Sequence, residues 1–117
     1  DGSDDAKKAE ILAAAEAALC AGRAGVRILS IAQLAQAKRL LIVADVNAVP
    51  PSGVEGLDMM ANGVELTPHG TLAIGPLAIG NIKYKTESGL FQRMIAATKP
   101  VTFDFRNAFQ LARELNE

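Results

Sequence analysis

Asp45 and Asn47 close an unbroken apolar run, Leu40 to Ala44, within the stretch LLIVADVNAVPPSGVEG. A short run of branched apolar residues suits a strand covered on both faces, as in a parallel α/β sheet. Pro50 and Pro51 have no N–H for a ladder and bias the preceding residue away from helix, so the strand must stop by Val49. Ligands of open α/β sheets sit off the carboxyl ends of the strands. A strand that delivers Asp45 and Asn47 to that end is therefore a candidate ligand wall. The alternative is that both side chains merely bond the turn that follows.

Three other places carry residues of chemical use. Ala21 to Gly25, AGRAG, brackets an Arg with glycines. Glycine lets a backbone approach a ligand closely, and Arg23 suits a phosphate or carboxylate; the alternative is a plain turn with a solvated Arg. Lys83 and Lys85 lie two apart in NIKYKT. They share a side if the segment is extended and diverge if it is helical. They suit an anionic or carbonyl-bearing ligand, or else a solvated face. His69, the one histidine, stands between Pro68 and Gly70 as a turn residue. No second His, Cys partner or carboxylate cluster has metal-ligand spacing, and no Ser-His or Cys-His pairing is evident, so no metal is expected. A reaction served by such a chain relies on positioning. Hydride transfer to or from a nicotinamide is of that type, because the cofactor carries the chemistry.

The elements that must position these residues follow from the pattern. Ser3, Asp4 or Asp5 caps an alanine-rich helix, Ala6 to Ala17, with Ile11, Leu12, Ala15 and Leu19 as its apolar stripe. A short buried strand at Ala18 to Cys20 precedes the glycine turn. Ser30 caps Ile31 to Lys38, where Ile31, Leu34 and Ala35 share a face. Val49 to Thr67 reads as a loop packed down by Leu57, Met59 and Met60, with turn signals at Asn62-Gly63 and His69-Gly70. Thr71 to Gly80 reads as a second apolar strand, bulged or at an edge at Pro76. Glu87 to Ala97 is a helix ended by Pro100, and Val101 to Phe103 an edge strand. Asp104 or Asn107 caps a last helix whose apolar face holds Phe105, Ala108, Phe109, Ala112 and Leu115. The fold class is α/β, three-layered, with a mostly parallel sheet of three or four strands.

The chain of 117 residues makes one domain, 1–117, the natural count. A net charge of −1, with 12 basic and 13 acidic residues, gives no footprint for nucleic acid or an acidic membrane. Trp is absent, which argues against base-stacking platforms. No apolar run reaches the roughly 18 residues of a spanning helix. The single Cys20 fits a reducing compartment, and DGSDDAKKAE is no secretory signal, so a soluble, cytoplasmic protein is expected.

The combination of AGRAGVRIL, ADVNAVPPSGVEGLD and AIGPLAIGNIKYKT, with the closing FQLARELNE, resembles the NAD(P)-dependent methylene-tetrahydromethanopterin dehydrogenases of methylotrophic bacteria. The resemblance runs from about Ala9 onward. It implies the C-terminal part of a Rossmann-like domain that binds NADP or NAD. The reaction it implies is oxidation of the methylene group of a pterin C1 carrier. It makes Ala21, Gly22, Arg23, Gly25, Asn47, Ala48, Gly75 and Leu77 the candidate cofactor-binding residues. Asp45, Asn47, Lys83 and Lys85 become the candidate catalytic residues. The helix over 104–117 would pack on a partner domain or subunit. No G-x-G-x-x-G turn for the pyrophosphate occurs. The activity is therefore expected of a longer polypeptide or of a complementing chain. An incomplete sheet also exposes a strand edge, which predicts a partner chain or a homo-oligomer. Two alternatives remain: a non-catalytic binding or assembly module that keeps a half-sheet, and a relative acting on methylene-tetrahydrofolate.

Overall fold

The computed structural model describes residues 3–116; Asp1, Gly2 and Glu117, which the expected acidic start and terminal helix include, lie outside the described residues. Two compact units emerge, Asp1–Ala78 and Ile79–Glu117.

The first unit holds helix α1 (Asp5–Ala14), strand β1 (Ala17–Cys20), helix α2 (Ile31–Gln36) and strands β2 (Ile42–Asp45), β3 (Asn62–Glu65) and β4 (Leu72–Ile74). The strands form one sheet in the order β1-β2-β4-β3. β1, β2 and β4 run parallel, and β3 pairs antiparallel with β4. The α/β class and the mostly parallel sheet are as expected. Register sets Ala18 beside Val43 and Val43 beside Ala73. Side chains alternate along a strand, so Cys20 joins that row on one face. Leu12 of α1 and Leu34 of α2 pack onto it, and Leu29, Leu40 and Val54 complete the core.

Both helices start on side-chain oxygens that satisfy otherwise unpaired backbone donors. Asp4 accepts from Lys7 N–H, and Ser30 and Gln33 form a reciprocal capping box. α1 ends three residues before the expected Ala17 because Ala15 is extended, which frees Ala17 for β1. The expected stripe on α1 reduces to Leu12 and the C-cap Ala15, which packs against the core: Ile11 is 62% exposed, and Leu19 belongs to β1. α2 stops at Gln36, with Ala37 N–H turned to Gln33 and Leu34. Ile31, Leu34 and Ala35 do share a face, which lines an apolar hollow of about 190 Å³ with Leu66 and Pro68. Leu57 packs the following loop down, whereas Met60 points outward.

Three expectations are corrected. Val49 to Thr67 is not all loop, because it contains β3. Its Asn62-Gly63 is a bulged strand position, with Gly63 at φ 74°, rather than a free turn. Thr71 to Gly80 is not one strand. β4 ends at Ile74, and helix α3 (Pro76–Ala96) begins at once. Pro76 occupies the first helical position, where a missing N–H costs nothing and a fixed φ helps. Val101 to Phe103 forms no strand.

α3 continues into the second unit, where helix α4 (Phe105–Glu114) follows. Asp104 caps α4 and exchanges bonds with Asn107. Within this unit Gly89 lets Leu111 sit close: a Cβ there would lie 2.8 Å from Leu111 Cδ2. Arg93 bridges to Glu114 at 2.7 Å. Phe105 and Phe109 remain exposed. No helix among the described residues is long and apolar enough to cross a membrane.

Candidate functional site

The carboxyl ends of β1 and β2 lie side by side. Cys20 is the register partner of Asp45, and Val46 N–H donates to Cys20 O at 3.1 Å. The glycine loop Ala21 to Gly25 and the loop from Val46 to Gly53 therefore leave the sheet as neighbours. β4 ends beside Ala44, which brings Gly75 to the same end of the sheet.

Asp45 organises the second loop from beneath. It is fully buried. Its Oδ1 accepts from Asn47 N–H at 3.0 Å, and its Oδ2 accepts from Gly53 N–H at 2.7 Å and meets Ser52 Oγ at 3.2 Å. A carboxylate that accepts backbone N–H groups across a turn is the Asx pattern, so the turn-bonding alternative describes what this side chain does. The Ser52 hydroxyl also donates to Val54 O at 2.8 Å. Gly53 O in turn accepts from Ile28 and Leu29, which ties the stretch after the glycine loop to the β2 loop. A Cβ on Gly53 would stand 3.0 Å from Asp45 Oδ2, so close approach to the carboxylate calls for glycine here.

Asn47 joins the two loops directly. Its Nδ2 donates to Gly22 O at 2.7 Å. Above it, Ala21, Gly22, Arg23 and Ala48 are exposed. The backbone N–H groups of Arg23, Ala24 and Gly25 donate to no other described residue, and Arg23 enters no ion pair among the described residues. Gly25 takes φ 73°, a conformation that suits glycine. The loop thus offers free N–H groups and a guanidinium to an anionic ligand. Cys20, beneath, is no nucleophile: burial pushes its thiol up to about 11, with the nearby Asp45 charge adding to the shift and Lys8 opposing it.

Gly75 serves the fold. An added Cβ would fall on the carbonyl oxygens of Asp58 and Met59. Gly75 N–H donates to Ala61 O at 2.8 Å and Leu77 N–H to Met59 O at 3.0 Å. Lys83 and Lys85 lie on α3 in the second unit, both exposed. At about 100° per residue they diverge around the helix, as the helical alternative requires. Lys83 pairs loosely with Glu87 at 3.8 Å and borders an apolar hollow of about 400 Å³ against Phe109. His69 holds a turn: its Nε2 meets Thr71 Oγ1 at 3.2 Å, and that hydroxyl donates to Leu40 O. Among the described residues no group of three or more His, Cys, Asp or Glu could hold a metal ion.

The structure therefore brings together Asp45, Asn47, Gly22 and the loop bearing Arg23. Sequence reasoning missed Ser52 and Gly53 as the partners of Asp45. The signal available was the Ser-Gly pair after Pro50-Pro51, seven and eight residues on.

No protein-family model matches the chain. The chain is 46% identical over 101 residues to the NAD(P)-dependent methylenetetrahydromethanopterin dehydrogenase of Methylorubrum extorquens, a match covering 86% of this chain and 34% of that protein. It is 34% identical over 113 residues to the bifunctional protein MdtA of the same organism, covering 97% of this chain and 38% of that protein. The chain thus spans little more than a third of the length of the curated relatives it matches, and the resemblance is to a portion of such an enzyme.

Proposed function

We propose that this chain is the C-terminal part of the cofactor domain of an NAD(P)-dependent methylene-tetrahydromethanopterin dehydrogenase. The observation that carries this reading is the 46% identity over 101 residues to an enzyme of that name. The paired loops at the carboxyl end of the parallel sheet support it, since that is where open α/β sheets hold ligands. Arg23 and the free N–H groups of its loop suit the anionic parts of NADP or NAD. When bound, the nicotinamide supplies the hydride acceptor. The protein's part would be to place the two reactants together and to exclude water. No general base is needed, because loss of hydride leaves a resonance-stabilised cation. On this reading Ala48 and Leu77 line the nicotinamide side, Asn47 and Gly75 shape the backbone behind them, and Lys83 and Lys85 of α3 are candidate contacts for the substrate. Asp45 acts from beneath as a positioning residue.

The remaining strands of the domain belong along β1. β3 is an unattractive edge, blunted by its bulge and by Glu65. β1, by contrast, is AALC with Leu19 70% exposed and neither proline nor bulge. We assign that edge to the preceding portion of a longer polypeptide, or to a complementing chain. The exposed Phe105 and Phe109 suit docking of the last helix on a partner domain or subunit, with a homo-oligomer as the assembly and the cytoplasm as the compartment.

The test joins this chain to the part of the 46%-identical relative that the match leaves uncovered and assays reduction of NADP and NAD with methylene-tetrahydromethanopterin. Turnover with either cofactor supports the reading. A folded hybrid that binds neither cofactor in calorimetric titration refutes it.

A further inference from the structure

We infer that Asn47 is a positioning residue that latches the glycine loop, and that its amide is not a direct partner of the reacting groups. This deepens the proposed function and rests on that reading for its cofactor consequence. The Asn47 Nδ2 donates to Gly22 O at 2.7 Å, while Asn47 N–H is itself held by Asp45 at 3.0 Å. Asp45 is fully buried and fixed to Gly53 as well. The amide therefore extends from a backbone tied to a buried carboxylate and reaches across to the neighbouring strand end. Without it, the backbone from Gly22 to Gly25 has one internal bond among the described residues, Val26 N–H to Arg23 O at 3.2 Å. Two residues of that loop are glycines, so its unlatched ensemble is broad. A loop whose N–H groups and guanidinium must meet an anion together binds best when held in one shape, and loosening it weakens binding without altering the chemical step.

The substitution Asn47→Asp keeps the side-chain shape and removes the donor, and Asn47→Ala removes both. Two readouts separate the latch from the proposed function. The first is trypsin cleavage after Arg23 in the chain itself, with cleavage after Lys38 and Arg39 as internal reference. Loss of one neutral hydrogen bond is expected to accelerate cleavage after Arg23 by roughly fivefold in both variants and to leave the reference sites unchanged. Equal acceleration at all sites, or none after Arg23, overturns the latch whatever the cofactor does. The second readout is the steady-state kinetics of the completed hybrid. The KM for the nicotinamide cofactor is expected to rise roughly five- to tenfold, with kcat within twofold and the pterin KM unmoved. A fall in kcat with the cofactor KM unmoved makes Asn47 a direct partner of the reacting groups and overturns the positioning role. A wild-type hybrid that binds no nicotinamide cofactor refutes the proposed function, and the cofactor half of this inference with it.

Discussion

Replacing Asp45 by asparagine tests whether the buried carboxylate builds the β2 loop. The carboxylate is used at both oxygens: Oδ1 takes Asn47 N–H, and Oδ2 takes Gly53 N–H and faces Ser52 Oγ. An amide has one oxygen. Whichever way it is turned, its NH2 group points at a backbone N–H, and two donors meet in a place water does not reach. A hydrogen bond to a charged acceptor contributes about 1.5–3 kcal/mol, and leaving a buried donor unsatisfied costs about 1–3 kcal/mol. Against this, a neutral amide is cheaper to bury than a carboxylate. The net expectation is a loss of about 2–4 kcal/mol, a large part of a typical stability of about 5–15 kcal/mol. Urea unfolding followed by far-ultraviolet circular dichroism measures it, as a lower midpoint at unchanged slope. A double-mutant cycle with Ser52→Ala should show coupling, since the two side chains are in contact. A loss for Asp45→Asn below about 1 kcal/mol refutes the argument, because the loop would then be held by something other than these bonds.

Gly75→Ala should destabilise the first unit by about 3 kcal/mol or more, because the new methyl meets backbone oxygens of Asp58 and Met59 that cannot rotate away; a wild-type urea midpoint would sink this. Thr71→Val leaves Leu40 O without its partner in a buried place and takes the Oγ1 contact from half-buried His69, a cost of about 1–3 kcal/mol in the same assay. Cys20, with its thiol raised to about 11 by burial, should resist iodoacetamide at pH 8 in the folded chain and react readily in urea. The sign for stability follows: the unfolded thiol ionises first, so the chain should lose stability as the pH rises above about 9, and Cys20→Ser should remove that slope. Rapid alkylation of the folded chain would show that the thiol is accessible.

The parts of the fold legible in the sequence are those where local chemistry and tertiary packing agree. Ser30 and Asp104 cap their helices because a side-chain oxygen before a helical run serves the same donors in any context. The apolar run before Asp45 reads as a strand that must stop by Val49, and β2 ends within that bound, at Asp45. β3 was illegible because all four of its residues are exposed and its Asn-Gly reads as a turn. Only the edge of β4 makes it a strand. The break at Gly75 was illegible because AIGPLAIG is apolar throughout, so periodicity cannot separate strand from buried helix. The deciding facts are tertiary: Gly75 against the loop at Asp58 and Met59, and Pro76 as the first residue of α3. In the site, the sequence marked Asp45, Asn47 and the glycine loop. It carried no sign that Asn47 bridges to Gly22, since that bond depends on strand order.

The polar groups at the sheet end divide into two sets, and the division bears on the chemistry. Asp45, Ser52, Gly53 and the Asn47 amide bond one another and the loop backbone. The Arg23 guanidinium and the N–H groups of Arg23, Ala24 and Gly25 bond nothing among the described residues. A reaction needing a general base would want a carboxylate or imidazole within reach of a substrate proton. Here the carboxylate is buried under its own loop, and the imidazole is tied to Thr71. What stays available is positive and oriented, suited to holding an anion still. Under the proposed reading that is a sufficient role, because hydride transfer asks the protein for placement and for exclusion of water, and the cofactor brings the electrons. The two sets should also respond differently to substitution. Changes at Arg23 should alter the affinity for the cofactor's anionic groups, whereas changes at Asp45 should act through stability and loop shape. An Arg23→Ala hybrid with unchanged cofactor KM would remove Arg23 from the site and leave the loop backbone as the whole of its contribution.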